Sequence, residues 1–190
     1  MKQRDYIDFL GKIEKLKCNT RHSWTSSGRR ESVAEHSWRL AVMAMLCADE
    51  YPQVDINKVI KMCLIHDFGE AVTGDIPSFY KTEADEHNEN VALMELIGIL
   101  PEEHYCALSL LFQEIDDQKT PEAKLFKSLD NIEAVISHNE ADIKTWLPLE
   151  FKENQIYGEE NCEWSEWIKN LRKIVKDDTL KKIQDINNFK

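Results

Sequence analysis

Apolar residues recur at steps of three and four along most of the chain, and no segment sustains the alternation a strand requires. That pattern restricts the fold to packed helices, so an all-α, single-domain helical bundle is expected. Tyr6, Phe9, Leu10, Ile13 and Leu16 give a first helix one apolar face. Asn19 to Arg30 is polar, with Ser, Thr and Gly, and reads as a loop. Ser32-Val33-Ala34-Glu35 matches a capping box, so a second helix begins there and runs to about Asp49. His36 falls in its first turn and shares an inner side with Leu40, Met43, Ala44 and Cys47. A third helix starts with Asp55 as N-cap and carries Ile56, Val59, Ile60, Cys63 and Leu64 on one face. Gly69 releases it, and Thr73 to Lys81, with Gly74 and Pro77, reads as a loop. Helices are expected over Glu83–Leu100, Pro101–Ile115, Pro121–His138 and Glu163–Val175, with a shorter one near Thr179. Pro101 and Pro121 suit first helical positions.

A length of 190 residues fits one domain able to bury a sizeable core. No apolar stretch approaches the roughly 18 residues of a membrane span, and the amino terminus lacks the apolar core of a signal peptide. A cytoplasmic protein without a membrane partner is expected. Five cysteines, odd in number and without CxxC spacing, read as reduced thiols. The net charge of -11 argues against a nucleic-acid polymer as partner. It also requires any phosphate site to be locally positive, through a metal and a few arginines. Lys15, Lys17, Arg21, Arg29 and Arg30 provide such a bias.

Four metal-binding side chains are spread through this helical pattern: His36, the adjacent pair His66-Asp67, and Asp130. A His-Asp pair alone means little; its setting gives it weight. Neighbouring side chains on a helix point about 100° apart, yet both reach a cation lying beyond the helix end. Two imidazoles and two carboxylates suit a borderline divalent ion, Co²⁺ or Mn²⁺ first, with Mg²⁺, Fe²⁺ and Zn²⁺ as alternatives. Glu70 and Asp75 follow within nine residues of the pair, placed for proton transfer or for a second, weaker metal.

The chain resembles the HD-domain phosphohydrolase superfamily, whose signature is H…HD…D on a helical bundle. It is most similar to the branch of nucleoside 5′-monophosphatases, the 5′-deoxynucleotidases. The likeness rests on Arg21-His22-Ser23-Trp24, Glu31-Ser32-Val33-Ala34-Glu35-His36-Ser37, His66-Asp67-Phe68-Gly69-Glu70, Gly74-Asp75-Ile76-Pro77 and Lys127-Ser128-Leu129-Asp130. It covers roughly residues 5 to 140 of a single HD domain, leaving 141–190 as helices for packing or dimer contact. The resemblance implies His36, His66, Asp67 and Asp130 as metal ligands, with Glu70, Asp75 and Ile76 at an alternative second ion. It implies Glu70 and Asp75 as catalytic, Glu70 acting on the attacking water or the leaving ribose oxygen. Arg21 would hold the phosphate, Trp24 would pack on sugar and base, and Asp75, Ile76, Pro77 and Ser78 would complete the substrate site. A homodimer is implied too. Where the family's Arg and Trp can be adjacent, His22 and Ser23 intervene here.

The reaction this implies is removal of the 5′-phosphate from a (deoxy)nucleoside monophosphate, a small-molecule substrate. The rival readings are an HD-type nucleoside triphosphate or cyclic-nucleotide phosphohydrolase, and a non-catalytic nucleotide-binding module. His22 reads as an ordinary loop residue, and His87, His104 and His138 read as surface residues. Glu133, three residues beyond Asp130, stands on the same helical side, where it can support a ligand. Trp164, Trp167, Ile168, Leu171 and Ile174 read as a core or dimer stripe.

Overall fold

The computed structural model describes residues 1–188; residues 189 and 190 of the expected carboxyl-terminal part lie outside it. Helix α1 (Gln3–Ile13) runs into a 3-10 turn, Glu14–Lys17. A hairpin of β1 (Thr20–Trp24) and β2 (Arg30–Ser32) follows, then α2 (Val33–Leu46), α3 (Ile56–Ile65) and the short α4 (Glu70–Thr73). The remaining helices are α5 (Glu83–Ile97), α6 (Glu102–Asp117), α7 (Pro121–Glu140), α8 (Glu150–Ile156) and α9 (Glu166–Asn188).

The capping chemistry legible in the sequence sets the starts of the central helices. Ser32 accepts from the backbone N–H of Glu35 while the Glu35 carboxylate accepts from that of Ser32. The Asp55 carboxylate accepts from Lys58 N, and Thr120 from Ala123 N, with Pro121 at the first turn. Helix α3 packs on both α2 and α7, and α7 on α9. Leu40, Ala44, Val59, Met62, Leu125, Phe126, Leu129, Ile132 and Ile168 fill the main core. Ile65, Leu93, Ile97 and Phe112 form a smaller one beneath α5 and α6.

Four expectations need correction. The polar stretch taken as a loop is an antiparallel hairpin, with Thr20 opposite Ser32 and Trp24 opposite Arg30. Leu64 is exposed whereas Met62 and Ile65 are buried, because α3 is clasped from two sides and needs a wider apolar stripe than one face. The two terminal helices are one, α9: Thr179, wholly buried, satisfies its hydroxyl on Val175 O and Asn139 and does not break the turn. The aromatic stripe divides, since Ile168 is buried in the core while Trp167 and Ile174 are exposed.

Candidate active site

The first turn of α2, the end of α3 and the middle of α7 bring the four metal-type side chains together. Nε2 of His36 lies 3.2 Å from Oδ1 of Asp130, and Nε2 of His66 lies 3.0 Å from Oδ2 of Asp67 and 3.9 Å from Oδ1 of Asp130. Donor atoms of His36, His66 and Asp67 all fall within 4.8 Å of one another. Each imidazole is oriented through its other nitrogen. Nδ1 of His36 bonds to the Glu133 carboxylate, and Nδ1 of His66 donates to Cys63 O at 2.9 Å. Both rings therefore turn Nε2 inward, the arrangement that metal-ligating histidines adopt.

The electrostatics suit a cation. Burial pushes the Glu70 carboxyl up, and Asp67, Asp75 and Glu89 push it further, to about 10. Burial also raises Asp75, helped by Asp67. Oε2 of Glu70 is buried without a hydrogen bond. Desolvation opposes ionisation of Asp67 and Asp130 as well, but His66 holds the first below the ordinary range and Lys127 and His36 hold the second well below it. Burial and Arg21 lower His36, yet Glu133 and Asp130 more than reverse this, to about 9. A cation bound at His36 displaces that proton, so its affinity rises with pH. Two imidazoles, two ionised carboxylates and two further acids short of positive charge are a donor set suited to a borderline divalent ion.

These groups line a cavity of about 170 Å³, together with Arg21, His22, Asp75, Ile76, Pro77, Ser78 and Phe79. With about 30 Å³ for a water, it admits several water-sized groups. Gly74, at φ 78°, ends α4 in a conformation that favours glycine, and the turn carries Asp75 inward. Gly69 lets α5 approach: a Cβ there would meet Glu89 Cγ at 2.8 Å. Arg21 reaches the cavity from β1. Its Nη1 contacts Glu31 at 3.3 Å and Glu133 at 3.2 Å, and among the described residues the rest of its fork has no protein partner.

Trp24 is the residue the structure does not bring in. Its ring lies beneath Arg30, 4.6 Å from guanidinium carbon to ring centroid, outside the cavity lining. Phe79 and Tyr157 are the aromatic groups that line it. Two histidines were also misread. His138 is buried, its Nδ1 2.8 Å from Asn154 Oδ1 and its Nε2 3.2 Å from Ser23 Oγ, because β1 and α8 cover that side of α7. His22 belongs to β1 and lines the cavity, with Nε2 3.0 Å from Glu150. Arg39, Glu150 and Asn154 drew no attention in the sequence, and Glu31 only as part of a motif. Ser137 and His138 stand seven and eight residues after Asp130, steps that return to one helical side, and that signal was available.

The HD domain family model matches residues 13–172. Curated relatives include the bovine 5′-deoxynucleotidase HDDC2, 33% identical over 72% of this chain and 68% of its own length. The Dictyostelium discoideum 5′-deoxynucleotidase HDDC2 is 34% identical over 70% of this chain and 75% of its own. Among solved structures, a predicted metal-dependent phosphohydrolase from Magnetospirillum magnetotacticum superposes with a TM-score of 0.81 at 30% identity, over 95% of this chain and 96% of its own. With a matching family model over most of its length and relatives of this identity, the chain belongs to the HD domain family.

Proposed function

We propose that the protein is a metal-dependent phosphohydrolase that removes the 5′-phosphate from deoxynucleoside monophosphates, giving nucleoside and phosphate. The observation that carries this reading is the convergence of His36, His66, Asp67 and Asp130 in one cavity with Arg21 and Glu70. The names of the curated relatives support the substrate class.

A divalent cation held by those four residues supplies Lewis acidity, acidifying water and offsetting phosphoryl charge. The unpartnered part of the Arg21 fork binds phosphoryl oxygens, and Glu31 and Glu133 hold it in place. Burial and the neighbouring acids push the Glu70 carboxyl up, which suits it to deliver a proton to the departing 5′ oxygen. Asp67 and then Asp75 add to that upward push on Glu70. Ile76, Pro77 and Phe79 give the cavity an apolar wall, against which a ribose 2′-hydroxyl would lose its water without gaining a partner.

Cobalt or manganese as the working ion, a homodimer and a cytoplasmic location complete the reading. Five free cysteines, three of them buried, suit a reducing compartment. Trp38, Met45 and Leu46 are exposed on α2 at near-heptad spacing and offer a dimer contact. The test is phosphate release from dAMP, dCMP, dGMP, dTMP and AMP, with a nucleoside triphosphate and a cyclic nucleotide alongside, under Co²⁺, Mn²⁺, Mg²⁺ and Zn²⁺ in turn. The expected result is release from the deoxynucleoside monophosphates above all others; preference for the triphosphate or cyclic substrate would reject it.

A further inference from the structure

A second set of ligand-type atoms meets in the cavity, apart from the four-donor centre. His22 comes from β1, His138 from the last turns of α7 and Glu150 from the first turn of α8. One donor atom from each lies within 4.8 Å of the others. Nε2 of His22 is 3.0 Å from Oε1 of Glu150, and Nε2 of His138 is 3.5 Å from the same oxygen. Donors that share a cation at about 2.0–2.2 Å stand roughly 3.0–3.5 Å apart at tetrahedral or octahedral angles. The spacing is that of the four-donor centre, where the corresponding pairs lie 3.0 and 3.2 Å apart.

These atoms are not satisfied by one another. Both ring nitrogens of His22 and Oε1 of Glu150 are buried without a hydrogen bond, so the close His22–Glu150 approach is not aligned as one. Glu150 is only 3% exposed, which makes an unpartnered carboxylate oxygen there costly unless something positive faces it. Its other oxygen is used, accepting from Leu147 N at 2.7 Å. His138 is held as a ligand histidine is held. Its Nδ1 donates to Asn154 Oδ1, just as Glu133 and Cys63 O anchor the Nδ1 atoms of His36 and His66; the Nε2 lone pair faces the cluster and accepts from Ser23 Oγ at 3.2 Å, a hydroxyl that an ion would have to displace. Burial lowers His138 below its ordinary range. A neutral imidazole and an ionised carboxylate are the forms a metal takes.

We propose that His22, His138 and Glu150 form a second divalent-cation site, for a borderline ion such as Zn²⁺ or Co²⁺, separate from the centre of His36, His66, Asp67 and Asp130. Three protein donors leave a coordination position open to the cavity. Arg21, the nearest cation on β1, is already neutralised by Glu31 and Glu133 and does not compete for Glu150. The proposal stands on this cluster alone and does not depend on the hydrolytic reading.

The test is a count of bound ions. Chelator-stripped protein is dialysed against Zn²⁺ and, separately, Co²⁺, and metal per chain is measured by mass spectrometry for wild type, His22→Gln, Glu150→Gln and Asp67→Ala. Wild type is expected to hold about two ions, and His22→Gln and Glu150→Gln one fewer each. The ion that His22→Gln keeps is expected to be the one Asp67→Ala weakens. Because Glu150 also accepts from Leu147 N, His22→Gln, whose ring makes no hydrogen bond, is decisive if Glu150→Gln fails to fold, with circular dichroism confirming its helices. A single ion on wild type, or equal counts on wild type and His22→Gln, would overturn the proposal.

Discussion

Glu133 on α7 binds Nδ1 of His36 on α2, and this contact decides which nitrogen His36 presents to the cavity. The carboxylate is fully buried and also pairs with Arg21 and Arg39. Burial alone would raise its pKa, but His36 and then the two arginines hold it far below the ordinary range. One buried anion therefore sets a metal ligand, fixes the arginine offered to phosphate and joins the two central helices.

Replacing Glu133 with Gln keeps the shape and removes the charge. Two arginines would then be left facing a neutral group, and the loss of stability should be about 3 kcal/mol. Affinity for the cation should fall by about 10- to 100-fold as His36 loses its anchor. Denaturant melts and a metal titration check both, and unchanged affinity would show that His36 needs no support.

Gly158 stands at φ 70°, and a Cβ built on it would come 2.3 Å from Cβ of Asn131. Gly158→Ala meets a left-handed backbone and a collision with a core helix at once. We expect destabilisation of about 3 kcal/mol, from the combined backbone strain and overpacking. The denaturant midpoint measures it; a shift equivalent to a few tenths of a kcal/mol would mean that α7 and the loop move apart freely.

The α2 cap predicts an acid limb in stability. The Arg29 hydrogen bond, with the Ser32 backbone, holds Glu35 down to about 2 from an ordinary 4.5. The folded state thus resists protonation more than the unfolded one. The stabilisation is fully present above about pH 4.5 and disappears as pH falls through about 2. The pair is largely exposed, so water screens most of the shift and roughly 1 kcal/mol is expected, the scale of a helix cap. Melts of wild type and Glu35→Gln should differ at neutral pH and converge near pH 2; parallel curves would contradict this.

Glu70→Gln tests the proton assigned to Glu70. The amide keeps the volume and leaves the four donors in place, so cation binding should persist while kcat falls by about 10²- to 10⁴-fold. Loss of the cation with the rate would instead make Glu70 a ligand.

Much of this arrangement is legible in the chain. Ser32-Val33-Ala34-Glu35, Asp55 and Thr120-Pro121 announce helix starts through local hydrogen bonds, so α2, α3 and α7 need no tertiary information to be placed. Helix geometry then places His36 and Asp130, and the end of α3 delivers His66 and Asp67. The hairpin was not legible, because its strands are short and polar and are held by a partner across a turn. Helix α8 was missed for a similar reason: seven residues carry too little periodicity to stand out. Its omission hid Glu150 and Asn154, and with them the burial of His138, which looks solvent-facing until α8 covers it. Trp24 is a different case: its place in a motif suggests a ligand contact, while the structure sets its ring against Arg30 across the hairpin, outside the cavity lining.

The most direct test of the central claim is phosphate release from dCMP by Asp67→Ala at saturating Co²⁺. This variant removes one of the four converging donors while the cavity, Arg21 and Glu70 remain. The account predicts a rate no greater than the protein-free background, with circular dichroism showing the helices intact. A folded Asp67→Ala variant that turns over at a rate near wild type would contradict it.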